Sequence, residues 1–161
     1  MVAGTARRSA WMWMGALALG VSGCGSAPAP PPTPTTVSGS IEASARLNPT
    51  TGQRPSPLQM RIYELKSAAA FGSADFMALF QGDQAALGAE MLAKEEMTLR
   101  PGETRPYMKT LAGETRFIGI VAIYRDLERA TWRTVVPVQP GRAQKLTVRV
   151  GELAVSATIG P

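Results

Sequence analysis

Cys24 is the only cysteine in a 161-residue chain that contains no histidine. A single thiol cannot close an intramolecular disulfide, and without a histidine or a neighbouring base it has neither the partners of a metal site nor the activation of a nucleophile. The same absence removes the commonest general base and the Ser-His-Asp and Cys-His arrangements. Carboxylate chemistry remains. Glu95 and Glu96 are adjacent and so point to opposite faces of a strand, while Asp126 and Glu128 fall in a loop. A glycosidase needs two carboxylates flanking one bond, and these read instead as solvated groups. No glycine-rich phosphate loop occurs. No catalytic residue, metal ligand or cofactor is assigned, and the residue types point to binding or assembly.

The role of Cys24 comes from its flanks. Arg7 and Arg8 precede an apolar run of about a dozen residues, AWMWMGALALGV (10–21), too short for a membrane span of roughly 20 residues but suited to the core of a signal peptide. Val21-Ser22-Gly23-Cys24 resembles a bacterial lipobox, which implies cleavage after residue 23, a diacylglycerol on the Cys24 sulfur and an acyl chain on its amine. One acyl chain binds a membrane only marginally and several hold firmly. No Asp follows Cys24 to signal inner-membrane retention, so the expected address is the outer membrane, with the domain facing the periplasm. The next residues, GSAPAPPPTPTT (25–36), favour extended polyproline II and read as a tether. The expected division is a signal peptide over 1–23, an acylated Cys and tether over 24–36 and one domain over 37–161. Beyond residue 23 the chain carries 15 basic and 12 acidic side chains, net +3, scattered singly. Nucleic-acid binding is not expected.

The domain shows an all-β pattern. Alternation predicts strands over 37–47 and 58–65, then 95–99, 104–111, 115–124, 131–138, 144–150 and 153–159. FIGIVAIY (117–124) is almost continuously apolar, as in a central strand buried on both faces. Between the second and third strands, SADFMALF (73–80) takes a helical period with Ser73 as the expected cap, and DQAAL (83–87) adds a turn ended by Gly88. PGETR (101–105) and AGETR (112–116) read as two hairpin turns. The expected architecture is two antiparallel sheets packed face to face, eight strands in all, with a short helical excursion after the second. The first connection, NPTTGQRPSP (48–57), is far longer than a hairpin turn, so it either crosses between sheets or serves a purpose. Trp132 and Arg125 have two readings: binding, or a core aromatic and an arginine paired with a carboxylate to fix a loop.

The ordered set LNPTTGQRPSPLQMRIYEL (47–65), Phe71 with ADFMALF (74–80), LRPGE (99–103) and IGIVAIYRDLERATWR (118–133) resembles the type VI secretion lipoprotein family TssJ, also called VasD or SciN. The resemblance implies a transthyretin-like β-sandwich, without enzymatic activity, in the trans-envelope complex, and as partner the periplasmic domain of the large inner-membrane subunit TssM. It also implies that the first connection contributes to that contact, which assigns Asn48, Pro49, Thr50, Thr51, Gly52, Gln53, Arg54, Pro55 and Ser56 as partner-binding residues. Three prolines stiffen the segment, several residues offer hydrogen bonds, and Arg54 can fork onto a carboxylate. The rival reading is a periplasmic lipoprotein that binds a small molecule or carbohydrate in a sandwich cleft.

Overall fold

The computed structural model describes residues 32–161; the expected signal segment, Cys24 and the expected tether as far as Pro31 lie outside the described residues. Eight strands are present: β1 (Thr36–Ala43), β2 (Leu58–Leu65), β3 (Met91–Leu99), β4 (Thr104–Thr110), β5 (Phe117–Ile123), β6 (Arg133–Pro137), β7 (Ala143–Val150) and β8 (Val155–Gly160). They form two four-stranded sheets, one in the order β4-β1-β7-β8 and the other β3-β2-β5-β6. Val37, Ile41, Leu146 and Val148 of the first sheet face Met60, Ile62, Ile118 and Ile120 of the second, and all are essentially inaccessible. The period-two pattern thus delivers a two-layer core.

Two features of the topology differ from the expectation. The first sheet is mixed, because β1 pairs antiparallel with β4 but parallel with β7. Alternation reports which face of a strand is buried and carries no information about the direction of its neighbour. PGETR and AGETR are turns but not hairpins: β3 lies in the second sheet, β4 in the first and β5 in the second. A tight corner between layers uses the same Gly-rich chemistry as a hairpin, and Gly102 adopts φ 75° there.

The second sheet is covered on its outer face, as β5 requires. A short helix α1 (Ala69–Ser73) places Phe71 against Gly119 of β5, where an added Cβ would stand 2.8 Å from the ring. A longer helix α2 (Phe76–Leu87), interrupted by non-helical backbone at Gly82, packs Leu79 and Leu87 over Tyr63, Leu65 and Val121. Asp75, not Ser73, caps α2, accepting from the Ala78 N–H at 2.7 Å; Ser73 ends α1, and extended Ala74 separates the two helices. Gly88 closes α2 with φ 53°, and a 3₁₀ turn over Gly88–Glu90 leads into β3.

Asp83 clamps α2 to the sheet. Its carboxylate accepts from Lys94 Nζ at 2.9 Å and Tyr63 Oη at 3.1 Å, while Arg61 reaches the carbonyls of Leu79 and Phe80 at 2.9 and 3.1 Å. Burial pushes the Asp83 carboxyl up, but the Lys94 and Tyr63 hydrogen bonds and the charges of Lys94 and Arg61 outweigh it and hold the group below the usual carboxylate range. Glu96, on the same outer face, pairs with Arg61 and Lys94, whereas Glu95 lies across β3 beside Tyr107 and Lys109.

Candidate functional site

The strands give the sandwich two distinct ends. The chain enters at Pro32–Thr35, beside the turns after β4 and β6: Leu111 N–H donates to the Thr35 carbonyl at 2.9 Å and Gly141 N–H to the Thr35 hydroxyl at 2.8 Å. β1 then crosses to the other end, where three segments converge: the first connection, the β5–β6 connection around 124–132 and the β7–β8 turn around 151–154. Between them runs a groove of about 860 Å³. Pro49, Thr50, Thr51 and Gln53 form one wall, Arg125 to Arg129 the other, and Glu152 and Leu153 also line it.

The first connection does cross between sheets, from β1 to β2. It is also tightly built. Asn48 sits at φ 46°, a left-handed geometry that asparagine tolerates better than most residues, and its carboxamide closes its own connection and ties it to another: Nδ2 donates to the Pro57 carbonyl at 2.9 Å, and Oδ1 accepts from the Arg125 N–H at 2.9 Å. Ser56 closes the base from the other side, its hydroxyl donating to the Asn48 carbonyl at 2.5 Å and accepting from Arg125 Nε at 3.1 Å. A small turn sits on this base, with Gln53 N–H on the Thr50 carbonyl and Thr50 N–H on the Arg54 carbonyl, both at 2.8 Å.

The construction sorts the nine residues assigned from the sequence. Asn48 and Ser56 are buried and face inward as braces; Pro49 and Thr50 are half-buried; Thr51, Gly52, Gln53, Arg54 and Pro55 stand in solvent. The facing wall is one that sequence reasoning placed only as a loop carrying two acids. Asp126 pairs with Arg129, accepting from its Nε at 2.6 Å, a hydrogen bond that holds the Asp126 carboxyl below its usual range, and Glu128 is exposed. Glu152 pairs with Arg46 at 3.1 Å across the end of the groove. The charged break in YRDLERATW between two apolar strands was the available signal for this wall, but its position opposite the first connection depends on the sheet order.

Arg125 does fix the loop, through an amide and a hydroxyl and not through a carboxylate. Trp132 packs at the margin of both apolar clusters, with its ring edge-on to Phe76 at 5.3 Å and the Arg133 guanidinium 4.8 Å from its centre. Arg133 also donates to the carbonyls of Phe71 and Ala74, so the pair anchors the helical cover.

Comparison with known proteins places this architecture. A crystal structure of the T6SS lipoprotein TssJ1 from Pseudomonas aeruginosa is 42% identical over 81% of this chain and 98% of that one, with a TM-score of 0.76. Serratia marcescens Lip, described as a membrane-bound component of the type VI secretion system, is 26% identical over 78% of this chain and 97% of its own, with a TM-score of 0.72. A chain in a structure described as the T6SS protein TssM C-terminal domain from EAEC is 26% identical over 79% of this chain and 98% of that one, at a TM-score of 0.61. No curated protein sequence matches. The model of the type VI secretion lipoprotein family, VasD, EvfM and TssJ, matches residues 35–153. With 42% identity to TssJ1 over most of its length and the same two-sheet fold, the chain belongs to the type VI secretion lipoprotein family.

Proposed function

We propose that the protein is a non-enzymatic outer-membrane lipoprotein, anchored through acylated Cys24, that holds the type VI secretion trans-envelope complex by binding the periplasmic domain of TssM through the turn at 49–55 and the groove beside it. The observation that carries this reading is the construction of the turn. Its tip is solvent-exposed while its base is locked by buried Asn48 and Ser56 and by Arg125, so little entropy is lost when a partner docks. The two ends of the sandwich support it as well. The described chain begins at one end, at Pro32–Thr35, and the groove opens at the other, which supports a reading in which the groove faces away from the anchored end.

Replacing 49–55 with a Gly/Ser segment of equal length, while keeping Asn48 and Ser56, tests the contact. Binding to the purified periplasmic domain of TssM should weaken by about 1.4 kcal/mol or more, roughly tenfold, with little change in melting temperature. Unchanged affinity in a folded variant moves the contact elsewhere. The groove volume falls in the range of small-ligand sites, about 300–1,000 Å³, which gives the rival reading its own observation; a thermal shift with a small ligand and no capture of TssM would favour it.

A further inference from the structure

The end of the sandwich that receives the tether carries a second surface. A shallow depression of about 460 Å³ is lined by Pro32, Pro34, Leu111 and Pro140 among others. Around this end stand Arg116, Arg142 and Lys145, all exposed. None of the three has an ion pair among the described residues. Arg116 donates from one nitrogen to the carbonyls of Gly113 and Thr115, both at 3.0 Å, which fixes its guanidinium at the turn. Of the carboxylate side chains nearby, Glu114 is held by Lys66 at 3.0 Å and Glu64 is buried and bound to Lys109 at 2.9 Å; Glu90 is half-buried, and the terminal Pro161 follows Gly160, the strand partner of Lys145. At the groove end Arg46, Arg105 and Arg129 each have a carboxylate partner, while exposed Arg54 and Arg100 have no ion pair among the described residues, so the tether end is set apart by its position beside the anchor and not by unpaired charge alone.

We propose that this end is a docking face for anionic phospholipid headgroups, so that the domain stands on the leaflet with its groove outward instead of swinging from the anchor. The proposal rests on the reading of Cys24 as the acylated residue. Seven residues, 25–31, separate Cys24 from Pro32 at this face, a span of about 25 Å at polyproline rise. A tether that short keeps the face at high effective concentration beside the headgroups, where even a weak contact is populated. Prolines at the centre and cations at the rim match the apolar and anionic layers of an interface. Each Lys or Arg near an anionic surface is worth about fivefold in affinity, so three are worth on the order of a hundredfold before salt screening.

The test uses the mature acylated protein in vesicles of phosphatidylethanolamine with phosphatidylglycerol, or of phosphatidylcholine alone, carrying a headgroup-linked quencher. A fluorophore is placed by Thr110→Cys at the tether end or by Gly52→Cys on the groove turn. Quenching at position 110 should be strong with phosphatidylglycerol and weak in phosphatidylcholine. It should be lost in the Arg116→Gln, Arg142→Gln, Lys145→Gln triple variant and in high salt, with position 52 unquenched throughout. Equal quenching at position 110 in both compositions, or no response to the triple variant, overturns the headgroup face while leaving the anchor intact, as flotation with phosphatidylcholine vesicles would show. Failure to float with either composition overturns the anchor reading and the docking face together.

Discussion

Asn48 joins the three segments at the groove end, its N–H donating to the Glu152 carbonyl of the β7–β8 turn at 3.1 Å. Its carboxamide satisfies Pro57 O and Arg125 N–H in a site that water scarcely reaches. Asn48→Ala should therefore destabilise the domain by about 1–3 kcal/mol, the cost of leaving buried groups unpaired, and Asn48→Gly, which relieves the backbone strain but not the lost hydrogen bonds, should recover only part of it. Urea unfolding of the two variants measures the split. Glu64 is a second buried polar residue, between the sheets, where it accepts from Ala112 N–H at 2.8 Å, Thr115 Oγ1 at 3.0 Å and Lys109 Nζ at 2.9 Å. Burial pushes its carboxyl up, but these donors together hold it below the usual range. A depressed carboxyl contributes stability that is complete above the unfolded value near 4.3 and is lost as pH falls through the folded one. Wild type should lose stability from about pH 5 downward, and Glu64→Gln should be less stable at neutral pH with a flatter acid limb. Parallel limbs in urea titrations across pH would remove Glu64 as a cause. Neither role was legible in the sequence: Glu64 stands at an inward position of LQMRIYEL, but its three donors lie 45 to 51 residues away.

At the scale of elements, the sequence reading succeeded where burial is one-sided and regular and fell short where an element's identity depends on its neighbours. β2 matches its expected range, and β5 is buried on both faces as its unbroken apolar run requires. AAFGS is too short to show a helical period, so α1 passed unseen, and the cap moved to Asp75 because an extended residue intervenes after Ser73. What holds this cover is a contact between elements: the Phe71 ring on bare backbone at Gly119. Gly119→Ala should displace that ring and cost about 1–3 kcal/mol by overpacking, with proteolysis between residues 66 and 90 rising before the sheets unfold. Intact protection of that segment would mean the helices are held chiefly by the Asp83 clamp. The first connection shows the same limit from the other side. Its excess length was visible, and its three prolines suggested stiffness, but the base that stiffens it is made by Arg125 from a different strand connection.

For the whole molecule, the proposed signal segment and lipobox bear on where the domain acts, and Cys24→Ser tests them directly. The variant should leave the membrane fraction or remain uncleaved, with the melting temperature of the folded domain unchanged; equal outer-membrane recovery, and no lipid mass on wild type, would remove the anchor. The layer architecture and strand number were readable from alternation, whereas the strand order was not, because pairing partners are chosen by packing across distant segments. The parallel neighbour of β1 is the clearest case, since β1 and β7 are separated by most of the domain. That placement has a mechanical consequence. β1 begins beside the tether and runs straight into the groove loop, with β4 bonded along one side and β7 along the other. A load applied between lipid and partner would pull along this strand, straining both rows of hydrogen bonds together in shear instead of peeling them one at a time from an edge. Resistance to such a pull is a matter of unfolding rate and not of equilibrium stability. With the proposed anchor and partner contact in place, tension would pass through a strand flanked on both sides and be shared with β4 and β7.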